Sequence, residues 1–445
     1  MTTATSDRSL KLVAAGVAVA APLLAWLAAG VIGPRGQAAA GAVAFVAVCA
    51  LASTDLRAVN WRTVGWGVAM QLVLAFLILK FEVGGVRPGY AFFAAVADVV
   101  KRFLEFTNAG SLFVFGPLAD GAAMGKVFGP ANGFVFAFAA LPTIIFISSF
   151  FTVLYYFGVL QVIVWLMARV MMYAMRTSGA ETLAAAANVF MGQTEAPIIV
   201  KPYVPGMTRS ELLAMMVGGM ATISGGVMAV YIGLGADPIA ILTTSVMAAP
   251  CGLYLSKLLL PETERPSTGG RISLTVERHH VNVVDALASG ASDGLTLALN
   301  VAAMLIAFLA FIALLDALLG WAWTGMTLGR VFSTLFAPVA FLMGVPPGDV
   351  APLADLLGTK LVANEFVAFV KLTTEYKAVL SDRGYVLATY ALTGFANLGS
   401  IGIQLGGIGG MAPTRRGDLA RLGGRALLAG FLATLVNACV ASMLL

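Results

Sequence analysis

Two glutamates stand in stretches that are otherwise apolar. One lies in Ala187-Asn188-Val189-Phe190-Met191-Gly192-Gln193-Thr194-Glu195-Ala196-Pro197, the other in Leu361-Val362-Ala363-Asn364-Glu365-Phe366-Val367-Ala368. In both, an apolar half-helix ends in amide-rich polar residues and a Glu, and apolar sequence then resumes. A carboxylate at membrane depth is costly, so it is paired, wetted or functional. A single one reads equally well as a hairpin cap or a water ligand. Two at matching places in two similar units point to function. Each stretch is followed by a Gly-rich, interrupted apolar segment, Gly218-Gly219-Met220-Ala221-Thr222-Ile223-Ser224-Gly225-Gly226-Val227 and Gly394-Phe395-Ala396-Asn397-Leu398-Gly399-Ser400-Ile401-Gly402. Asn397 and Ser400 are three apart, which puts them on one helix face; that spacing suits a helix–helix contact as well as a ligand, and Asn188 carries the same ambiguity.

Two carboxylates with amides and hydroxyls make an acceptor-rich pocket. It suits a neutral or cationic solute with many hydroxyl and N–H donors. A dicarboxylate or phosphate would want Arg or Lys at these tips, and Lys360 and Lys371 sit several residues away. Side-chain and backbone oxygens at breaks near Asn188 and Thr222 would satisfy Na+. The residues alone therefore predict a cation-coupled transporter of a small polyhydroxy or nitrogenous solute.

The chain that must position these residues has 445 of them, 60% hydrophobic and 11% charged, with a mean hydropathy of +0.92. Soluble domains carry about 25% charged residues, so a soluble enzyme, a disordered chain and a nucleic-acid binder are excluded. The net charge of +5 forms no basic face. The apolar runs are long and unbroken, unlike the short alternating strands of a membrane barrel. The fold class is all-α and polytopic. Apolar segments fall at about 10–32, 37–54, 62–80, 133–165, 212–235, 238–260, 295–320, 385–409 and 426–445, each near the ~20 residues that a span needs. The first reads as a transmembrane helix rather than a signal peptide, because another apolar run follows at once.

Lys and Arg in the short loops set the orientation. With Arg8 and Lys11 inside, Arg57, Arg62, Arg169, Arg176, Lys201 and Arg209 also fall inside. So do the loop Arg265–Arg278 and the run Arg415, Arg416, Arg421 and Arg425. Asp349, Asp355, Glu375 and Asp382 fall outside, and so does the C-terminus. Two stretches, 177–207 and 349–380, then enter and leave on the same side, the first from the cytoplasm and the second from outside. They read as re-entrant hairpins, which are tolerated where protein or water lines them. Two units of opposite orientation, each with a broken helix, are how many secondary transporters build a midplane site. Ala91–Phe106 reads as an interfacial helix outside, with 160–175 as its counterpart on the cytoplasmic side.

Other chemistries find little support. Cys49, Cys251 and Cys439 lie apart in apolar stretches and read as small buried hydrophobes. His279 and His280, beside Glu277 and Arg278, read as a solvated loop. An intramembrane hydrolase with the two Glu as acid and base would lack HExxH or GxSxG support, so no catalytic residue is expected and the chain is read as no enzyme. Trp61, Trp66, Tyr155 and Tyr156 read as interfacial or packing residues.

At Gly192-Gln193-Thr194-Glu195-Ala196-Pro197, Asn364-Glu365-Phe366-Val367-Ala368, Gly394-Phe395-Ala396-Asn397 and Pro413-Thr414-Arg415-Arg416-Gly417-Asp418, the sequence resembles the concentrative nucleoside transporter family. The likeness runs from about Arg57 to the C-terminus. It implies a homotrimer in the bacterial inner membrane that moves its cargo elevator-fashion and has no nucleic-acid partner. It divides the chain into an extra N-terminal helix (1–35), scaffold helices (36–158), a first transport repeat (159–262), a loop and scaffold helix (263–325) and a second transport repeat (326–445). Carried over residue by residue, it assigns Gln193, Thr194 and Glu195 to the nucleobase with Val227 as an apolar wall. Glu365, Asn397 and Ser400 go to the ribose, with Phe395 beside the sugar. Na+ as coupling ion would use the side chains of Asn188 and Thr222 and the backbone oxygens of Met191, Thr222 and Ile223. Gly192 and Thr222 stand where relatives with Ser favour pyrimidines, which leans towards acceptance of both purine and pyrimidine nucleosides such as uridine, cytidine and adenosine. The alternatives are proton coupling, or an elevator-type symporter of a nucleobase, sugar or amino acid.

Overall fold

The computed structural model describes residues 2–129, 133, 135–269 and 280–445, with side chains from Asp7 onward. The expected basic loop Arg265–Arg278 lies partly outside the described residues, and His279 lies outside them altogether. The described residues form helices joined by short loops. Eight helices or helix pairs are long and apolar enough to span a membrane, and Asp382–Leu392 with Leu398–Met411 makes a further broken pair.

Two units repeat the same element order. The first runs through Leu141–Tyr156, Val159–Met175, a hairpin of Gly179–Ala187 and Ala196–Ile199, the broken pair Arg209–Ala221 and Gly225–Leu234, and Pro238–Leu259. The second runs through Val283–Ala322, Leu328–Leu335, a hairpin of Val350–Val362 and Glu365–Thr374, the broken pair Asp382–Leu392 and Leu398–Met411, and Arg416–Leu444. Both expected hairpins are present, and in element order Val159–Met175 of the first unit corresponds to Leu328–Leu335 of the second.

Several expected boundaries move for local reasons. The apolar stretch 133–165 divides at Gly158, whose left-handed backbone (φ 78°) separates Leu141–Tyr156 from Val159–Met175. The first helix ends at Leu27, and the second, Ala29–Leu51, absorbs the expected gap by a kink at Gly33-Pro34. The expected segment 295–320 begins earlier, in a helix of 40 residues. At 1.5 Å per residue that is about 60 Å, twice a bilayer core of about 30 Å, so this helix must tilt or project.

Burial separates the two halves of the architecture. The apolar window of Arg209–Leu234 is 94% buried, against 11% for Val283–Ala322 and for Asp7–Leu27. Val283–Ala322 packs closely on Leu141–Tyr156 through Gly290 and Gly294, where an added Cβ would lie 2.7 Å from the backbone of Ser149 and of Ile145. Small residues four apart let two helices approach where lipid offers no hydrophobic drive. Cys49, Cys251 and Cys439 are buried free thiols.

Buried ion pairs tie down each hairpin. Lys257 reaches Glu181 at 2.5 Å and Glu262 at 3.4 Å, and it donates to Ser210 Oγ at 2.9 Å. Ser178 and Thr208 start their helices with capping boxes closed by Glu181 and Glu211, which supply the donors and acceptors that a helix end lacks. On the second hairpin Lys371 pairs with Asp355, which also accepts from the Tyr376 hydroxyl at 2.7 Å.

Candidate functional site

The two helix breaks meet back to back. Thr222 is extended, with φ −121° and ψ 173°, and its carbonyl accepts from the N–H of Phe395 at 3.1 Å. Gly394 has φ +149°, and a Cβ there would approach the carbonyl oxygens of Met220 and Ala221 to 3.1 Å. Glycine is needed for that approach as much as for that backbone angle.

Each chain restart begins with a capping residue. Ser224 accepts from Val227 N at 3.4 Å, Asn364 from Val367 N at 2.8 Å, and Asn397 from Ser400 N at 2.9 Å. Three helix N-termini thus converge, and their free N–H groups and partial positive charge favour acceptor groups beside them. This corrects the expectation that Asn397 and Ser400 share a helix face: Asn397 precedes the helix and caps it.

A cavity of about 180 Å³ lies between these ends. Gln193, Thr194, Glu195 and Val227 line one side, and Glu365, Phe395, Asn397 and Ser400 line the other. Glu365 is buried. One carboxylate oxygen accepts from Asn397 Nδ2 at 2.7 Å, and the other accepts from the Tyr231 hydroxyl at 3.3 Å. Gln193 crosses between the units, donating from Nε2 to Ser400 Oγ at 3.1 Å, while its Oε1 has no partner among the described residues. The tip packs on the far helix where Thr194 faces Gly407, a glycine whose added Cβ would meet Thr194 Cγ2 at 2.5 Å.

The two glutamates differ in their surroundings. Glu195 accepts from the backbone N–H of Gly192 at 3.0 Å, and it also lines a second cavity of about 240 Å³ with Asp293, Thr152 and Tyr155. Glu365 lines the first cavity and not the second, and is held by its own network.

Asn188 is wholly buried, and neither its Nδ2 nor its Oδ1 has a partner among the described residues. An unpaired buried amide costs about 1–3 kcal/mol, a cost that a bound ion or water would offset. Thr222 is 1% exposed, Ile223 is fully buried and Met191 lines the second cavity. The Thr222 hydroxyl donates to Gly218 O at 2.9 Å and keeps its lone pairs free. A hydroxyl, an amide oxygen and carbonyls with spare lone pairs are the hard oxygen donors that an alkali cation takes.

Sequence reasoning missed Ser224, Asn364 and Tyr231, together with the apolar wall of Leu297, Val301 and Leu305 from Val283–Ala322. Ser224 and Asn364 carried a readable signal, a capping residue just before an apolar run. Tyr231 and the wall come from other elements and carried none. Lys360, several residues from the tip along the chain, is buried and donates to Ala391 O at the second break.

Family models for the Na+ dependent nucleoside transporter match the chain at its N-terminus over residues 40–118 and its C-terminus over 240–442, and a model described as nucleoside recognition matches 137–238 between them. An uncharacterized transporter from Haemophilus influenzae is 43% identical over 91% of this chain and 96% of its own length. The mouse sodium/nucleoside cotransporter 1 is 41% identical over 91% of this chain, which spans 63% of that longer protein. Among solved structures, CNTnw in an inward-facing substrate-bound state superposes with a TM-score of 0.86 at 40% identity, covering 92% of this chain and 98% of that one. A CNTnw variant in an outward-facing state also reaches 0.86, at 39% identity over 92% of this chain and 97% of its own. The paired hairpins, the abutting breaks and these likenesses together show that the chain belongs to the Na+ dependent nucleoside transporter family.

Proposed function

We propose that the chain is a Na+-coupled symporter that imports nucleosides across the bacterial inner membrane by an elevator motion. One observation carries this reading: residues from both hairpins and both broken helices line a single cavity, with an unpaired buried Asn188 on the hairpin that forms one of its walls. The relatives are named for sodium and nucleosides, and CNTnw is known in inward-facing and outward-facing states.

In this reading Glu365, Asn397 and Ser400 hold the ribose hydroxyls, and Phe395 flanks the sugar. Gln193 and Thr194, with Glu195 close by, face the base, and Val227 covers it. Na+ binds Asn188, Thr222 and the carbonyls of Met191, Thr222 and Ile223, and it orders the first hairpin before the nucleoside arrives. The transport part comprises 159–262 and 326–445. The scaffold comprises 36–158 and 263–325, and the helix within 1–35 lies outside both. Three copies assemble, with the N-terminus in the cytoplasm and the C-terminus in the periplasm. Purine and pyrimidine nucleosides are both accepted, because Gly192 and Thr222 stand where relatives with Ser favour pyrimidines.

Competition against radiolabelled uridine on the purified protein tests the substrate class. Adenosine and cytidine compete, whereas uracil and ribose, each filling half the cavity, do not. Competition by uracil or ribose as strong as by adenosine would overturn the nucleoside assignment.

A further inference from the structure

Lys360 lies outside the substrate cavity, and its side chain is fully buried. Its ammonium donates to Ala391 O at 2.7 Å and to Thr434 Oγ1 at 3.0 Å, and it sits 5.5 Å from the centre of the Phe431 ring. Ala391 belongs to the last turn of Asp382–Leu392, where the helix breaks. In a continuing helix the N–H of Phe395 would bond Ala391 O, but here it bonds Thr222 O instead. The ammonium therefore satisfies a carbonyl that the break orphans, at the negative end of a helix dipole. Glu365 follows five residues later on the same hairpin.

The first break is furnished differently. Asn188 stands seven residues before Glu195 on the first hairpin, as Lys360 stands five before Glu365 on the second. Both amide atoms of Asn188 lack partners. Glu195 shares its second cavity with another carboxylate, Asp293. The first break thus offers amide and carbonyl oxygens that no protein cation engages among the described residues, whereas at the second the Lys360 ammonium engages a carbonyl and a hydroxyl oxygen.

We propose that the Lys360 ammonium is the resident cation of the second break, taking there the place that Na+ takes at the first. The second unit then recruits no ion of its own. This rests on the sodium reading of the Asn188–Thr222 break. The two breaks are joined by the Phe395 N–Thr222 O bond and by Gly394 against Met220 and Ala221. A cation that firms either break therefore firms the ribose and base halves together. Lys360 is a positioning residue in this scheme, acting through Glu365 and the carbonyl of Ala391.

The test compares Na+-driven uridine uptake into proteoliposomes for the wild type, Lys360→Ala and Lys360→Met. Alanine leaves room for an ion, so uptake by Lys360→Ala turns from hyperbolic to sigmoidal in Na+, with a Hill coefficient rising from about 1 towards about 2. Methionine fills the space without charge, so Lys360→Met loses uptake at every Na+ concentration while remaining folded. A Met variant with wild-type sodium dependence, or an Ala variant that stays hyperbolic, would overturn the proposal, since a space-filling role predicts both. If the single variants are too unstable for uptake, their thermal unfolding midpoints are compared with that of Lys360→Met/Glu365→Gln. Removing both charges should raise the midpoint above that of Lys360→Met, and a double variant no more stable than Lys360→Met contradicts the electrostatic role of Lys360. Asn188→Leu, assayed alongside, separates the two claims: unchanged sodium dependence there would sink the first-break reading whatever Lys360 does.

Discussion

Glu365 is held from two sides by Asn397 and Tyr231, so its carboxylate presents its remaining lone pairs to the cavity in a fixed direction. A site built to bond hydroxyls rejects ligands that lack them, because its own polar groups are then left unpaired. Glu365→Gln keeps the shape and removes the charge. Hydrogen bonds to charged groups are worth about 1.5–3 kcal/mol, so uridine binding should weaken by about 10- to 150-fold. Isothermal titration with uridine reads this directly, and wild-type affinity would contradict the ribose assignment. Asn188→Leu should instead raise the Na+ concentration needed for half-maximal uridine binding and leave binding at saturating Na+ closer to normal; an unaltered sodium curve would remove Asn188 from the ion site. These residues were legible because a carboxylate or amide inside an apolar run is conspicuous by its cost. Tyr231 was not, since a tyrosine in an apolar helix looks like any packing residue until the fold brings Glu365 to it.

Hairpins and broken helices are positioned by close backbone approach and by buried ion pairs. Gly219, in the helix before the first break, faces the tip: a Cβ there would lie 2.8 Å from Gln193 Cβ and 3.0 Å from its Cα. Gly219→Ala must push the tip away and break the Gln193–Ser400 bond. Uridine affinity should fall about tenfold for that one bond, while folding by size-exclusion profile is retained; unchanged affinity would show that the tip tolerates displacement. At the base of the same hairpin, Lys257→Met leaves Glu181 buried without its cation. Breaking a buried pair in this way costs about 3–5 kcal/mol, so the thermal unfolding midpoint in detergent should drop clearly, and an unmoved midpoint would contradict the clamp. The hairpins could be read from the charge that flanks each on one side and from their polar tips. Their descending limbs could not: Ala196–Ile199 gives way to a 3-10 turn at Lys201–Gly206, where Pro202 and Pro205 prevent a longer helix. The division at Gly158 was equally hidden, because both sides of it are apolar.

On the scale of the whole molecule, the proposed elevator motion would carry the buried hairpins and broken helices past the long, exposed Val283–Ala322. Leu297 of that helix and Ile198 of the first hairpin line the same cavity. A bifunctional thiol reagent applied to Leu297→Cys/Ile198→Cys should therefore abolish uptake, and reduction should restore it; full uptake in the bridged protein would mean that these parts do not slide past each other. The inverted arrangement was visible in the sequence because the two interrupted stretches look alike, but the identity of the wall facing the cavity was not, since it depends on how distant spans pack. The most direct test of the central claim is uptake of radiolabelled uridine into proteoliposomes under an inward Na+ gradient and, separately, an inward proton gradient. Sodium-dependent accumulation, competed by adenosine but not by uracil or ribose, is the predicted result. Accumulation driven by protons alone would contradict the assignment of Na+ to Asn188 and Thr222, and no uptake of uridine by folded protein under either gradient would contradict the nucleoside site itself.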